Sequence, residues 1–221
     1  MWYKLNSETS PLAMGAWPQV KDFVGKAHDF LIDVKNLGLG QHLKKEYILD
    51  YVIIDKKSKF TDFISCLSCS SKGLIISERV FLILKEYNLF SSKFYVVNLT
   101  NTKEKRKYYF LKVAGDLTEH VDFNRTVFHV YKSGLLVKEF KCIDINDYLI
   151  KREEQIDIDP INPIKAVEIF FNESFYNLNY DLITLGMLNP LNILINDKLK
   201  ERLELENLTG LRIEQVGKIK N

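Results

Sequence analysis

The chain has 221 residues, 46% of them hydrophobic, and its 31 Lys and Arg nearly balance 29 Asp and Glu, for a formal net charge of +2. That length and apolar content suffice to bury a core without covalent staples, and the charge balance excludes a protein that grips nucleic acid or a membrane surface by bulk electrostatics. The opening MWYKLNSETS has no basic leader before an apolar run, and no stretch approaches the roughly 18 consecutive apolar residues of a spanning helix, so no membrane partner and a cytoplasmic address are expected.

Residues 1–59 form a poorly assigned N-terminal portion, expected to pack on a main domain over 60–221. MWYKL is followed by SPLAMGAWPQV, with two prolines, and by mixed material ending at NLGLGQHL. Within this portion EYILDYVIID, Glu46 to Asp55, is rich in β-branched and aromatic residues and reads as a largely buried strand.

After SKFTDFISCLSCSS, Gly73 opens a distinct layout. Leu74 to Ile76 are apolar, Ser77 is placed to cap a helix, and Glu78 falls in the first turn where the helix dipole favours an acid. Val80, Leu84 and Tyr87 recur at i, i+4 and i+7, and the strand FYVVNL follows. The same layout returns at Ile193 to Val216. A shift of 119 positions lays Asn196 on Ser77, Leu199 on Val80, Leu203 on Leu84, Asn207 on Asn88, Leu208 on Leu89, Ile213 on Phe94 and Val216 on Val97. Apolar segment, cap, helix and strand is a common grammar that also arises without duplication, so the match argues first for the elements themselves.

The middle reads mostly as sheet. FYVVNL and KYYFLKV flank TNTKEKR, predicting a hairpin with a long exposed loop. VDFNRTVFHV alternates loosely, and GLLVKEFKCI behind the KSG turn is a further strand. From Lys151 to Phe175, Pro160 and Pro163 argue against a helix through the first half, predicting a loop that feeds a short element at IKAVEIFF. YDLITLGMLNP adds a short strand. The expected class is α+β, mainly antiparallel or mixed sheet with a few short amphipathic helices packed on it.

Chemistry-bearing patterns are sparse. Cys66-Leu-Ser-Cys69 has the spacing of a redox pair or half a zinc site, but only Cys142 and the scattered His28, His42, His120 and His129 remain as further ligands. Two ordinary thiols are the favoured reading, and an odd set of three cysteines suits a reducing compartment. The run Lys103 to Lys107, followed by Tyr108 and Tyr109, has the mix of bases and rings that holds single-stranded nucleic acid, although a solvated loop is the commoner meaning. His120 lies among acids in DLTEHVDF, which is usual for a surface histidine. No G-x-S-x-G, H-E-x-x-H or phosphate-cradling glycine motif occurs, so no catalytic residue, metal or cofactor is named and a binding protein is expected rather than an enzyme.

The C-terminal copy, YDLITLGMLNPLNILINDKLKERLELENLTGLRIEQV, resembles the immunity-protein family of bacterial polymorphic-toxin systems first described around a myxobacterial immunity domain. Leu208, Thr209, Gly210, Leu211 and Val216 stand where that family's closing phrase would put them. TDFISC, GLIISERVFLILKEYNL and VDFNRTVF, with Thr126 where Ser is commoner, extend the resemblance over residues 60–216. The resemblance implies a cytoplasmic antidote without catalysis, which binds a cognate toxin domain and protects the producing cell and its kin. No family motif fixes the contact residues. Many toxin domains that act on nucleic acid are basic, so the acids Glu153, Glu154, Asp157 and Asp159 are the expected contact surface. The competing functions are a thiol-dependent redox protein using Cys66 and Cys69, and a nucleic-acid module using the Lys103–Lys107 loop. Gly210 is expected at a helix exit with positive φ, with Leu199, Leu203 and Leu208 facing the core.

Overall fold

A computed structural model describes residues 1–36, 41, 47–67, 73–102, 104–188, 192–216 and 219–220. The fold is α+β, as its sequence pattern predicts. In chain order, β1 (Trp2–Ser7) leads to α1 (Pro11–Met14), β2 (Val20–Phe23), α2 (Lys26–Asn36) and β3 (Ile48–Ile54). Then come β4 (Phe63–Ile64), β5 (Leu74–Ser77), α3 (Glu78–Leu84) and β6 (Ser92–Thr100). The second half opens with β7 (Lys105–Val113), a 3-10 turn over Thr118–His120, β8 (Val127–Lys132), β9 (Leu135–Phe140) and α4 (Ile145–Ile158). It continues with β10 (Lys165–Phe170), α5 (Glu173–Tyr176), β11 (Leu182–Thr184) and a 3-10 turn over Gly186–Leu188. β12 (Ile193–Asn196), α6 (Asp197–Leu205), β13 (Leu211–Gln215) and β14 (Ile219–Lys220) complete it.

The layout seen twice in the sequence is one structure built twice. One sheet has the order β4-β5-β7-β6, extended beyond β6 by β3 and β2; a second has the order β11-β12-β1-β13. The registers agree residue for residue: Phe63 faces Ile76 in the first sheet, and Leu182 faces Ile195 in the second. β7 fills the first sheet by setting Tyr109 opposite Ile76 and Leu111 opposite Phe94. β1 fills the second by setting Tyr3 opposite Ile195 and Leu5 opposite Ile213. Each half therefore gives its first strand to the other half's sheet.

The rest of each half corresponds too. β3 runs parallel to β6 and antiparallel to β2, and β10 runs parallel to β14 and antiparallel to β8. β3 buries Leu49, Val52 and Ile54, and the β10 region buries Ala166, Ile169 and Phe171 at the same spacing. In the second half β13 and β14 take the place that β6 spans as one strand. β9 and the one-turn α5 are the exceptions, because in the first half β2 passes directly into α2 and no helix stands between β3 and β4.

Three apolar cores follow from this plan. One gathers Phe23, Phe30 and Val52 of the first half with Phe110 of β7; another gathers Phe128, Tyr148, Ile169 and Phe175 of the second half. The third lies between them and is built from equivalent residues: Leu5 with Leu111, Phe63 with Leu182, Ile76 with Ile195, Val80 with Leu199, Leu84 with Leu203.

Several expectations change. Residues 1–59 supply β1 to one sheet and β2 and β3 to another, so this stretch is woven into the remainder. β3 is buried on one face only, with Ile48 and Ile53 exposed. Most of NLGLGQHL lies outside the described residues. The β6–β7 hairpin is tighter than predicted: the strands run to Thr100 and from Lys105, and Asn101 N–H donates to the Glu104 carbonyl at 3.1 Å. The largest change is α4, which runs to Ile158 where a loop was expected. Pro160 acts as predicted only on its neighbour, since Asp159 is extended at φ −151 and ψ 90, and the helix ends there.

Candidate partner-binding site

α4 is started by two aspartates, Asp144 and Asp147. Asp144 caps it by accepting Asp147 N–H at 2.8 Å, and Asp147 accepts Ile143 N–H at 2.9 Å and pairs with Lys151 at 2.8 Å, i to i+4. Tyr148 and Gln155 face inward. That orientation turns Glu153, Glu154 and Asp157 outward together, all exposed, one helical turn apart.

Asp159 does not join them. It accepts Asn162 Nδ2–H at 2.9 Å and Ile161 N–H at 3.2 Å, and the Asn162 bond is the main cause holding its carboxyl below the usual range. Its work is to close the turn. The structure thus assembles three of the four acids expected to meet a partner and gives the fourth a structural role.

Beside α4 in sequence stands β9, which among the described residues pairs with β8 alone and so forms an edge of its sheet. The turn before it places Ser133 at φ 51 and Gly134 at φ 81, a two-residue loop whose twist suits a hairpin. Leu135, Leu136 and Val137 are 73%, 53% and 61% exposed, and Ile143, Ile150 and Ile158 are exposed as well. An edge strand offers unpaired backbone groups, and natural proteins usually blunt such edges with charge. Here the charges Lys138 and Glu139 occupy only the second half of the strand, and its first three residues leave an exposed apolar strip.

The alternative chemistries fare differently. Cys66 is disulfide-bonded, against the expectation of ordinary thiols in a reducing compartment; Cys69 lies outside the described residues. Cys142 is free and buried, and burial pushes its thiol up, which suppresses reactivity. Lys103 also lies outside the described residues. Lys105 pairs with Asp50 at 3.3 Å, Arg106 with Glu104 at 3.0 Å and Lys107 with Glu78 at 3.2 Å, so these bases sit in β7 with acids beside them.

One constellation escaped the sequence reading because its parts are far apart in the chain. His120 Nδ1 lies 2.9 Å from Ser174 Oγ, and its Nε2 lies 3.3 Å from Glu119. This has the outline of a Ser-His-acid triad. The Ser174 hydroxyl, however, donates to Asn172 Oδ1 at 2.6 Å, and Asn172 is oriented by donating to the Glu119 carbonyl at 3.3 Å. Ser174 therefore accepts from His120, the reverse of what an activated nucleophile requires. Among the described residues no group of His, Cys, Asp and Glu is placed to hold a metal ion, and no helix is long and apolar enough to cross a membrane.

No protein-family model matches this chain, and no curated protein is significantly similar to it.

Proposed function

We propose that the protein is an immunity protein, an antidote without catalysis that binds a cognate bacterial toxin domain and holds it inactive in the cytoplasm of the producing cell. The observation that carries this reading is β9: it is the strand one half has and the other lacks, its residues are largely exposed, and none of the three cores depends on more than its last residue, Phe140. A strand the cores hardly use, with three exposed apolar residues on an open edge and followed in the chain by the helix that carries Glu153, Glu154 and Asp157, suits a protein partner. The apolar strip would supply anchors and the acids would steer a basic toxin. The resemblance of residues 60–216 to immunity proteins supplies the class of partner.

The test is co-expression with the toxin domain encoded beside this gene. The expected result is a stoichiometric complex and rescued growth, with both lost in Val137→Lys, whose melting temperature stays at the parent value because the site is exposed. A folded toxin domain that kills regardless and does not co-purify would remove the reading for that partner. Unchanged affinity in Val137→Lys, and in the charge-reversed Glu153→Lys/Glu154→Lys variant, would remove the surface.

A further inference from the structure

The two halves differ at one place where their plan makes them equivalent. In the first half, Phe60 stacks on Tyr108 with ring centroids 6.2 Å apart, and the Arg106 guanidinium lies 4.5 Å over Phe60. Nearby, Asp62 accepts Thr209 N–H at 2.9 Å and the Thr209 hydroxyl at 2.8 Å, and Arg79 pairs with Glu206 at 2.7 Å. The rings and guanidinium groups that meet here all belong to the chain itself.

In the second half the corresponding residues line an open cleft of 630 Å³. Trp2 stands for Tyr108, since each pairs with the capping residue of its sheet, Asn196 or Ser77. The 119-residue shift puts Asn179 for Phe60, Asp181 for Asp62 and Lys198 for Arg79. Trp2, Tyr176 and Tyr180 contribute rings to its lining, together with the exposed Glu86 and the largely buried Asp181. Asp181 is anchored by Asn88 N–H at 2.9 Å and Asn196 Nδ2–H at 3.0 Å. One cation is already there: Lys198 lies 3.7 Å from Asp181 and 4.9 Å over the Tyr87 ring, with its side chain 70% exposed.

We propose that this cleft receives an arginine side chain from a protein partner, its guanidinium lying against the aromatic wall and facing Glu86 and Asp181. Ring faces and carboxylates attract a cation together, and the flat, delocalised guanidinium suits a ring wall better than an ammonium does. In the first half an arginine of the chain itself makes a contact of this kind, Arg106 lying over Phe60 with Glu104 as its carboxylate at 3.0 Å. This inference does not depend on the antidote reading, because the cleft lies apart from β9 and its test needs no toxin.

The experiment titrates the full-length protein with N-acetyl-arginine amide and follows the Trp2 indole and the Asn88 and Asn179 side-chain amides by NMR. N-acetyl-citrulline amide, of similar shape without the charge, serves as control. The expected result is a saturable shift confined to the cleft, with citrulline weaker by about tenfold. Glu86→Gln should weaken binding roughly threefold, and Lys198→Ala, which removes the resident cation, should tighten it. Both sites are exposed, so both variants should keep the parent fold. Equal binding of citrulline, indifference to Glu86→Gln, or no saturable shift up to about 50 mM, where even a millimolar Kd would have saturated, would overturn the proposal.

Discussion

Asp62 and Asp181 show how much a single side chain decides in this molecule. Each precedes the first strand of its motif and receives a bond from that motif's helix cap, Ser77 Oγ–H at 2.8 Å or Asn196 Nδ2–H at 3.0 Å. Each also reaches across to the other half, where Asp62 accepts from Thr209 and Asp181 from Asn88. Burial alone would push the Asp62 carboxyl up, but the bonds from Thr209 and Ser77 outweigh it and hold the group below its ordinary value. A carboxyl depressed in the folded state contributes stability that is complete above its unfolded value, about 3.9, and is lost as pH falls through the folded value. Asp62→Asn should therefore cost about 1–3 kcal/mol at neutral pH and make the loss of stability below about pH 4 shallower. Urea melts of both proteins from pH 7 to pH 3 would decide this; an identical acid slope in the variant would refute the role. Sequence reading located the cap Ser77, but Asp62 looked like any loop acid because its partner Thr209 is 147 residues away. Gly210 has the predicted positive φ, 71, yet the left-handed residue nearest the helix exit is Asn207 at φ 50. Gly210 sits in the turn into β13, where a Cβ would come 2.4 Å from the Phe63 carbonyl oxygen, so its lack of a side chain serves the junction between the halves.

At the scale of elements, local signals were legible wherever they were self-contained. α3 and α6 begin at the predicted caps, with Ser77 Oγ accepting Val80 N–H at 3.3 Å and Asn196 Oδ1 accepting Leu199 N–H at 3.0 Å. Leu199 and Leu203 are fully buried, while Leu208 is only partly so. Because each cap satisfies a helix N–H and also holds an aspartate, Ser77→Ala and Asn196→Ala should each cost about 1–2 kcal/mol, matched in size. Denaturant melts would measure this, and a loss in one variant alone would break the equivalence of the two motifs. Pro160 and Pro163 hide α4 from the sequence pattern, because they suggest a break through the preceding stretch, whereas a proline constrains only its own turn and the residue before it. The Asp144 cap and the Asp147–Lys151 spacing were present in the sequence and would have announced the helix. β9 was recognised as a strand, but its exposure was not, since an edge strand and a buried one of the same composition look alike until the neighbours are known.

The exchange of first strands is the feature no local pattern could reveal. β1 and β7 are far apart in the chain and differ in composition, and only the pairing of Tyr3 with Ile195 and of Tyr109 with Ile76 shows that they do the same work. The exchange also has an energetic consequence. Neither half can complete its sheet or the central core without the other, because Leu5 enters that core from the first half's strand and Leu111 from the second's. Opening one half strips a central strand from the other, so the molecule should unfold in one step, unlike two domains joined by a linker. Hydrogen exchange tests this directly. The amides of Ile75 and Ile76 in β5 and of Leu194 and Ile195 in β12 should exchange with the same opening free energy. Leu84→Ala, a truncation in a fully buried position of the central core, should lower that value by about 2–5 kcal/mol in both strands together. If β12 kept its parental protection while β5 lost its own, the halves would be separable units, and the exchanged strands would be a matter of topology without a bearing on stability.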